Sequence, residues 1–175
     1  MAGDVKHGPT CEIDGSCCGP SSPCCPQYEG PIDIRRATER DLAEVLELLS
    51  AADLPVAGVQ EAFSRFFVAE AAGTIVGSAG LEKHGDYGLL RSAAVSAALR
   101  GRGVGRRLIN EVVDDARHNR MHALYLLTNT AESYFPEFGF ERIDRAAVPA
   151  ELNESVEFQG VCCSSAAVMR MALDL

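Results

Sequence analysis

One short segment combines glycines and arginines at a spacing that suits the binding of an anion, Arg100-Gly101-Arg102-Gly103-Val104-Gly105. An apolar stretch of strand length precedes it, and a stretch of helical periodicity follows it. Glycine lets the main chain approach a ligand closely, and the first turn of a helix exposes unpaired N–H groups that carry partial positive charge. The segment therefore predicts a seat for a diphosphate. Arg102, Arg106 and Arg107 add positive charge, whereas Arg100 either does the same or braces the turn.

Other interpretations of this segment fit its residues less well. A dinucleotide fingerprint, G-x-G-x-x-G, needs a third glycine where Leu108 stands, and a Walker A loop needs G-K-[ST], which the segment lacks. A solvated turn without any ligand is the remaining alternative. The position of the segment between a strand and a helix favours the diphosphate seat.

Arg91 is a cation within an otherwise apolar stretch, Leu89 to Val95. Burying an arginine without a partner is costly, so its guanidinium should meet a carboxylate. That carboxylate belongs either to the protein, as an internal ion pair, or to a bound substrate. The sequence leaves both possibilities open.

Hydrophobic periodicity predicts the elements that position these residues. Thr38 and Asp41 open an amphipathic helix that Asp53-Leu54-Pro55 ends, and a second amphipathic helix follows Gly105. Short helices are expected from Val59 to Arg65 and from Thr130 to near Gly139. Strands are predicted at Ile32 to Ile34, Phe66 to Ala71, Thr74 to Leu81, Leu89 to Val95, Ala123 to Leu127, Phe140 to Ile143 and Ala166 to Met171. This order predicts an α/β (α+β) domain with a mixed, mainly antiparallel sheet flanked by helices.

Composition divides the 175 residues into two regions and limits the partners. Residues 1–30 are rich in Cys, Gly and Pro and predict a flexible tail, while residues 31–175 form one globular domain. The formal net charge of −9 disfavours nucleic acid as a partner. No apolar run is long enough to cross a membrane and no secretory signal is visible, so we expect a cytoplasmic protein without membrane contact.

The glycine-rich segment and its surroundings resemble a known family. The stretch from Val95 to Leu108 is similar along its whole length to the coenzyme A signature of the GNAT N-acetyltransferases, R-x-x-G-x-G. The hairpin Val68 to Gly77 and the closing Phe138-Gly139-Phe140 recur in that family in the same order. The resemblance extends from Ile32 to about Met171. It implies a GNAT-type fold and the transfer of an acetyl group from acetyl-CoA to an amine.

The resemblance also implies roles for individual residues. Main-chain N–H groups from Arg100 to Arg106 would bind the coenzyme diphosphate, the strand at Ala94 and Val95 would hold the acetyl carbonyl, and Asn129 would contact the coenzyme. Glu82 is the candidate general base, with His84 and Asp86 as weaker candidates. Arg91 and Ser92 are the candidate substrate-binding residues.

The general acid departs from the family pattern. The family usually carries a tyrosine four residues before the glycine of its closing G-F, and in this chain that position is Phe135. Tyr134 stands next to it and is the candidate acid. One step along a helix turns a side chain by about 100°, so Tyr134 would replace the usual tyrosine only if Pro136 distorts the turn. Coenzyme A is also a good leaving group without an acid.

Six of the seven cysteines form adjacent pairs, and these pairs suggest a second kind of site. Cys17-Cys18 and Cys24-Cys25, aided by Cys11 or Cys162-Cys163, have the thiolates that a soft ion such as As(III) prefers. They lack the C-x-x-C spacing of zinc sites, and an incidental cysteine-rich extension is the alternative. Other stretches, among them Gly88 to Ser92 and Tyr125 to Thr128, resemble the GNAT proteins encoded with bacterial arsenic-resistance genes.

Three functions follow from these observations. The leading prediction is an acetyl-CoA-dependent N-acetyltransferase acting on a small-molecule amine, connected with arsenic or a related amino-acid-like toxin. The second is a non-catalytic GNAT-fold protein that binds arsenite through its thiols. Acetylation of protein N-termini or lysines is the third. A homodimer is possible, although no stretch of the sequence identifies an interface.

Overall fold

The structure is a computed structural model that describes residues 30–161 and 165–174 of the chain. The predicted tail and all seven cysteines, including the proposed thiol ligands Cys17, Cys18, Cys24 and Cys25, lie outside these residues.

The described residues form a seven-stranded sheet in the order β1-β2-β3-β4-β5-β7-β6. Neighbouring strands are antiparallel except for β4 and β5, which are parallel. This arrangement confirms the predicted mixed, mainly antiparallel sheet. The strands are β1 (Ile32–Arg36), β2 (Phe66–Ala71), β3 (Thr74–His84), β4 (Tyr87–Val95), β5 (Ala123–Thr128), β6 (Glu141–Ile143) and β7 (Ala167–Ala172).

Helices cover both faces of the sheet. The helices are α1 (Leu42–Ala51), α2 (Val59–Ala62) and α3 (Val104–His118), and single 3-10 turns lie at Glu39–Asp41, Phe63–Arg65, Ala97–Leu99, Phe135–Phe138, Arg145–Ala147 and Ala150–Glu154. Alternation along β2 separates the two cores, because Phe67 packs with α3 while Phe66 packs with α1 and α2. The turns between β6 and β7 cover the second face beside α1 and α2, where Leu152 packs on Leu89.

Helix α3 lies on the sheet as its amphipathic pattern predicts. Its apolar positions are buried, namely Leu108, Ile109, Val112, Val113 and Ala116. Near its C-terminal end the buried carboxylate of Asp115 forms ion pairs with Arg36, at the end of β1, and with Arg65. These contacts attach the C-terminal part of the helix to β1 and to the turn before β2.

The helix predicted from Thr130 is wrong in its extent. Only the 3-10 turn Phe135–Phe138 forms there. Pro136 has no N–H group and its ring disfavours a preceding helical turn. In addition, the Thr128 hydroxyl accepts a hydrogen bond from Ala131 N–H at 3.0 Å, which commits that donor outside any helix.

Asp41 joins β1 to the start of α1. Its two carboxylate oxygens accept hydrogen bonds from both terminal nitrogens of Arg35, at 2.7 and 2.8 Å, and one of them also accepts from Thr38 N–H at 2.7 Å. The Arg35 guanidinium is the main cause that holds the pKa of Asp41 well below its usual range, against the opposing effect of burial.

We expect the free energy of unfolding to fall as the pH drops below about 5, because a carboxyl whose pKa is lowered by folding stabilises the native state only while it is ionised. An Asp41→Asn variant should lose about 1–3 kcal/mol at pH 7 and show a flatter acid dependence in urea unfolding. Asp33→Asn, at an exposed position of β1, is the matched control. Equal acid dependence in the wild type and in both variants would contradict this role.

Candidate active site

The parallel strands β4 and β5 separate at one end. They pair only through Tyr87 to Leu89 of β4 and Ala123 to Tyr125 of β5, and the remainder of each strand runs without the other. A bulge in β4 accompanies the separation, where Ser92 has a positive φ of 54°. A bulge bends its strand and increases its twist, and it directs β4 away from β5. We call the resulting opening the strand gap.

A cavity of about 580 Å³ lies on the α3 side of the strand gap. We call it the loop cavity because the glycine-rich segment forms much of its wall. Eight of the predicted coenzyme residues line it, and they are Ala94, Val95, Arg100, Gly101, Gly103, Val104, Gly105 and Arg106. Arg102 and Asn129 are not part of this lining.

A second cavity of about 530 Å³ lies on the opposite face of the sheet, between the α1–α2 connection and β5. We call it the cross-sheet cavity. Its polar lining includes Asp53, Arg91, Ser92, Asn129 and Glu157. Three residues line both cavities, and they are Ala93, Ala131 and Phe135. The two cavities therefore meet at the strand gap.

The glycine-rich segment has the geometry that an anion seat needs. Gly101 and Gly103 have φ values of 76° and 78°, which L side chains rarely adopt. The first bond within α3 runs from Arg107 N–H to Gly103 O at 3.1 Å. The N–H groups of Val104, Gly105 and Arg106 therefore precede the helical ladder and keep donors available at the positive end of the helix dipole.

The arginines of this segment have different positions. Arg100 Nε donates to Val95 O at 3.3 Å and so braces the turn, which is one of its two predicted roles. Arg106 pairs with Glu137 and lies over the ring of Phe138, at 5.6 Å from its centre. Arg107 was predicted to add charge to the seat, and this prediction is wrong. Its guanidinium instead donates to Ile32 O at 2.8 Å and attaches the helix to β1.

The main chain of Val95 points toward the strand gap. Ser96 N–H donates to Val76 O at 2.8 Å, which makes these two residues a hydrogen-bonded pair of the antiparallel β3–β4 ladder. The N–H groups of successive residues in a strand point to opposite sides, so the N–H of Val95 faces away from β3. This donor is aimed at the side where β5 has separated, as a strand that holds the acetyl carbonyl requires.

Arg91 is the centre of a buried charge cluster. Its side chain has no exposed surface. Nη1 donates to Glu82 Oε2 at 2.9 Å, and Nη2 donates to Ala57 O at 2.5 Å and lies 3.1 Å from Glu157 Oε1. His84 Nε2 lies 2.7 Å from Glu82 Oε1 and extends the cluster to the C-terminal end of β3. The internal ion pair, one of the two possibilities for Arg91, is thus present in the structure.

The two carboxylates beside Arg91 have pKa values shifted in opposite directions. Burial acts to raise the pKa of Glu82, but hydrogen bonds from Arg91 and His84 outweigh it and the net shift is downward. Burial raises the pKa of Glu157; Arg91 opposes this increase and the charge of Glu82 adds to it. Two nearby carboxyls with opposite shifts commonly have different chemical roles.

Comparison with known proteins gives a consistent result. The family model described as an acetyltransferase (GNAT) domain matches residues 62–142, which include the strand gap and the glycine-rich segment. Residues 62–142 of the chain are therefore similar to a GNAT acetyltransferase domain. Acetyl transfer from acetyl-CoA is the chemistry of that domain, and the enzyme class predicted from the sequence is confirmed.

Two curated proteins are similar to parts of the chain. An amino-acid acetyltransferase of Mycobacterium tuberculosis is 28% identical over 129 residues, which cover 68% of this chain and 74% of that protein. An IAA acetyltransferase of Azospirillum brasilense is 35% identical over 71 residues, which cover 39% of this chain and 46% of that protein.

Solved structures share the fold. An N-acetylglutamate synthase from Neisseria gonorrhoeae, complexed with coenzyme A and N-acetyl-glutamate, superposes with a TM-score of 0.72 at 22% identity. The match covers 84% of this chain but only 36% of the synthase chain. A GNAT family acetyltransferase from Brucella melitensis in complex with acetyl-CoA gives a TM-score of 0.55 at 25% identity, over 65% of this chain and 84% of that one.

The fold does not place Glu82 where a base for the strand gap is needed. Glu82 lines a separate cavity of about 470 Å³ with His84 and Lys83, and it is absent from the lining of both cavities at the gap. Its strand continues to His84 rather than ending at Leu81, so the carboxylate lies within β3 and beside Arg91. The lowered pKa of Glu82 also makes it a weak base.

The two aromatic residues before Pro136, Tyr134 and Phe135, have different surroundings, as expected for consecutive residues. Phe135 is buried at the strand gap, where it lines both cavities. Tyr134 lines the loop cavity, and a Cβ added at Gly105 would lie 3.2 Å from its hydroxyl. Burial and Glu137 raise the pKa of Tyr134, although Arg106 lowers it, so the phenol stays protonated. Its hydroxyl is beside the glycine-rich segment, and the catalytic role of Tyr134 stays a prediction.

Glu157 is the site residue that sequence reasoning missed as a candidate. It lies in the irregular segment between β6 and β7, where periodicity gives no signal. The one available signal was Arg91, whose expected carboxylate partner was left unnamed.

Other kinds of site find no support in residues 30–161 and 165–174. They contain no group of three or more His, Cys, Asp or Glu side chains that could hold a metal ion. They also contain no helix that is long and apolar enough to cross a membrane.

Gly103→Ala should weaken coenzyme A binding at least tenfold in calorimetry, because a side chain at its positive φ strains the turn that aims the N–H groups. Gly73→Ala is a matched control, since Gly73 has a φ of 80° and, like Gly103, open space where a Cβ would lie. Gly105→Leu should abolish binding by filling the loop cavity, with no positive φ involved. Unchanged affinity in both Gly103→Ala and Gly105→Leu would overturn the diphosphate seat.

Proposed function

We propose that this protein transfers the acetyl group of acetyl-CoA to the amino group of a small molecule. The observation that carries the proposal is the meeting of the two cavities at the strand gap. A diphosphate seated on the first turn of α3 leaves the rest of the coenzyme to follow the loop cavity to the gap. An amine in the cross-sheet cavity then reaches the thioester from the opposite face of the sheet.

The residues of the gap supply the positioning that acyl transfer needs. Val95 N–H is the donor for the oxyanion that forms when the amine attacks the thioester carbonyl. Ala93, Ala131 and Phe135 provide an apolar passage that limits the access of water. Holding the two reactants at the same opening makes the step effectively unimolecular.

The cross-sheet cavity favours a small amine over a protein substrate. Its opening lies between the α1–α2 connection, residues 52–55, and Glu157, and its volume suits a molecule of amino-acid size. The similarity to an amino-acid acetyltransferase and to a synthase complexed with N-acetyl-glutamate supports an amino-acid-like substrate.

The connection with arsenic rests on the sequence resemblance and on the cysteine pairs outside the described residues. As(III) binding by Cys17, Cys18, Cys24 and Cys25 is therefore part of the proposal rather than of the site described above. Titration of free thiols with and without arsenite tests it, and absence of protection for these four thiols excludes the site.

The substrate is identified by thiol release from acetyl-CoA with a panel of amines. The panel contains L-glutamate, L-glutamine, L-methionine, putrescine, a lysine-containing peptide, and amino acids whose side chains end in a phosphinate or an arsinate. We expect turnover with amino-acid-like members and none with the peptide. Binding of acetyl-CoA without turnover on any amine would favour the non-catalytic alternative.

Ala131→Leu should lower kcat at least tenfold and leave acetyl-CoA affinity within about twofold, because the added volume obstructs the gap and not the diphosphate seat. Ala43→Leu, at an exposed position of α1, is the control for the added side chain. Calorimetry and thiol release on the same preparations separate the two effects. If kcat is unchanged in Ala131→Leu, the passage between the cavities is not the route of transfer.

A further inference from the structure

We propose that Glu157 is the carboxylate that binds the substrate ammonium and removes its proton, and that Arg91 is the residue that positions it. The inference rests on the proposed function, since it needs an amine in the cross-sheet cavity. It assigns the general base to the segment between β6 and β7 instead of to β3.

Position is the first argument. Glu157 lines the cross-sheet cavity, and Glu82 does not. It is only 7% exposed, so its carboxylate faces the interior of the site and not bulk solvent. The residues that line the cavity include a second acid, Asp53, while the cation present, Arg91, is already paired with two carboxylates. This balance of charge favours a cationic amine.

Restraint of the carboxylate is the second argument. Arg91 Nη2 lies 3.1 Å from Oε1 of Glu157, and the same guanidinium is held by Glu82 and by Ala57 O. A carboxylate offers about four acceptor positions, so one contact with Arg91 leaves room for an ammonium or a bridging water. His84 Nε2 contacts the other carboxylate oxygen of Glu82, so that Glu82 is restrained at both oxygens. Arg91 therefore acts through Glu157 and has no need to contact the substrate.

The charges facing Glu157 give it the properties of a base. Burial raises its pKa, Glu82 adds to this, and Arg91 limits it. A carboxylate with a raised pKa is a stronger base than an ordinary glutamate whenever it is ionised. Asp53 and Arg91 are the other charged residues that line the same cavity.

Proton removal from the ammonium precedes acyl transfer. The Glu157 carboxylate takes one proton from R–NH₃⁺ and becomes a carboxylic acid, and the amine nitrogen then attacks the thioester carbonyl carbon. The C–S bond breaks as the tetrahedral intermediate collapses, and the electron pair remains on sulfur. The second nitrogen proton passes to the thiolate or to water, giving the amide and coenzyme A. Glu157 returns its proton to solvent through the cross-sheet cavity.

The test compares pH profiles of kcat/KM for the wild type and Glu157→Gln, measured by thiol release with the best amine of the panel. We expect a loss of about 10²- to 10⁴-fold near pH 7 and loss of the rising limb that belongs to Glu157. The deficit should shrink as the pH approaches the pKa of the amine itself, because the amine is then already neutral. A merely structural role for Glu157 gives a deficit that does not vary with pH, and that result overturns the proposal.

Two further variants distinguish the bases. Glu82→Gln should keep the rising limb but move it to lower pH, since removing the Glu82 charge lowers the pKa of Glu157. Loss of the limb in Glu82→Gln and its retention in Glu157→Gln would reverse the assignment. Glu151→Gln, an exposed position of the same segment, should match the wild type.

A binding measurement keeps the inference separate from the proposed function. Acetyl-CoA affinity should be the same in the wild type and Glu157→Gln, and absent affinity in the wild type would defeat the proposed function itself. If no panel amine is turned over, protein labelled with ¹³C at glutamate carboxyls is titrated with butylammonium in the presence of coenzyme A. The resonance missing from Glu157→Gln should shift saturably, and a resonance that does not move overturns the ammonium site.

Discussion

The site depends on a limit to hydrogen bonding between two parallel strands. Because β4 and β5 pair through only three residues each, the main chain of β4 beyond Leu89 has an edge that no strand among residues 30–161 and 165–174 covers. A buried strand edge is normally costly, and here it is the place where a ligand can supply the missing partners. The bulge at Ser92, with its unfavourable positive φ, is the local distortion that accompanies the opening.

Arg91 connects this opening to the chemistry on the other face of the sheet. An arginine without exposed surface needs compensation for its lost hydration, and two carboxylates supply it. The compensation is unequal, because Glu82 receives a hydrogen bond from Arg91 while Glu157 has a longer ion pair. Arg91 thereby gives the two glutamates different roles. Glu82 is a fixed structural anion, and Glu157 is the group able to exchange protons.

Local patterns in the sequence predicted most of the fold. The strands from Phe66 to Val95 and the helix after Gly105 have strong periods, so their types and order were confirmed. The segment from Thr130 was misjudged, because Pro136 and the Thr128 hydroxyl redirect the donors that a helix would use. The segment that carries Glu157 has no period at all, and only contacts with distant strands determine its path.

The candidate site also has one part that local sequence patterns predict and one part that they do not. The predicted diphosphate seat is built from consecutive residues, so their spacing was sufficient to predict the geometry of the turn. The charge cluster joins β3, β4 and the segment before β7, and no local pattern contains the information that these meet. Glu82 was therefore expected to be the general base, although its carboxylate pairs with Arg91 and lines neither cavity at the strand gap.

The attachment of Arg107 to the main chain of Ile32 has a thermodynamic consequence. Together with the ion pairs of Asp115, it fastens both ends of α3 to other parts of the sheet. The first helical turn is thus already ordered before a ligand binds. The conformational entropy of this turn is therefore lost during folding and is not lost again on binding. Affinity for the nucleotide end of the cosubstrate then reflects preorganisation, and a weakened core lowers it even when every contacting atom is retained.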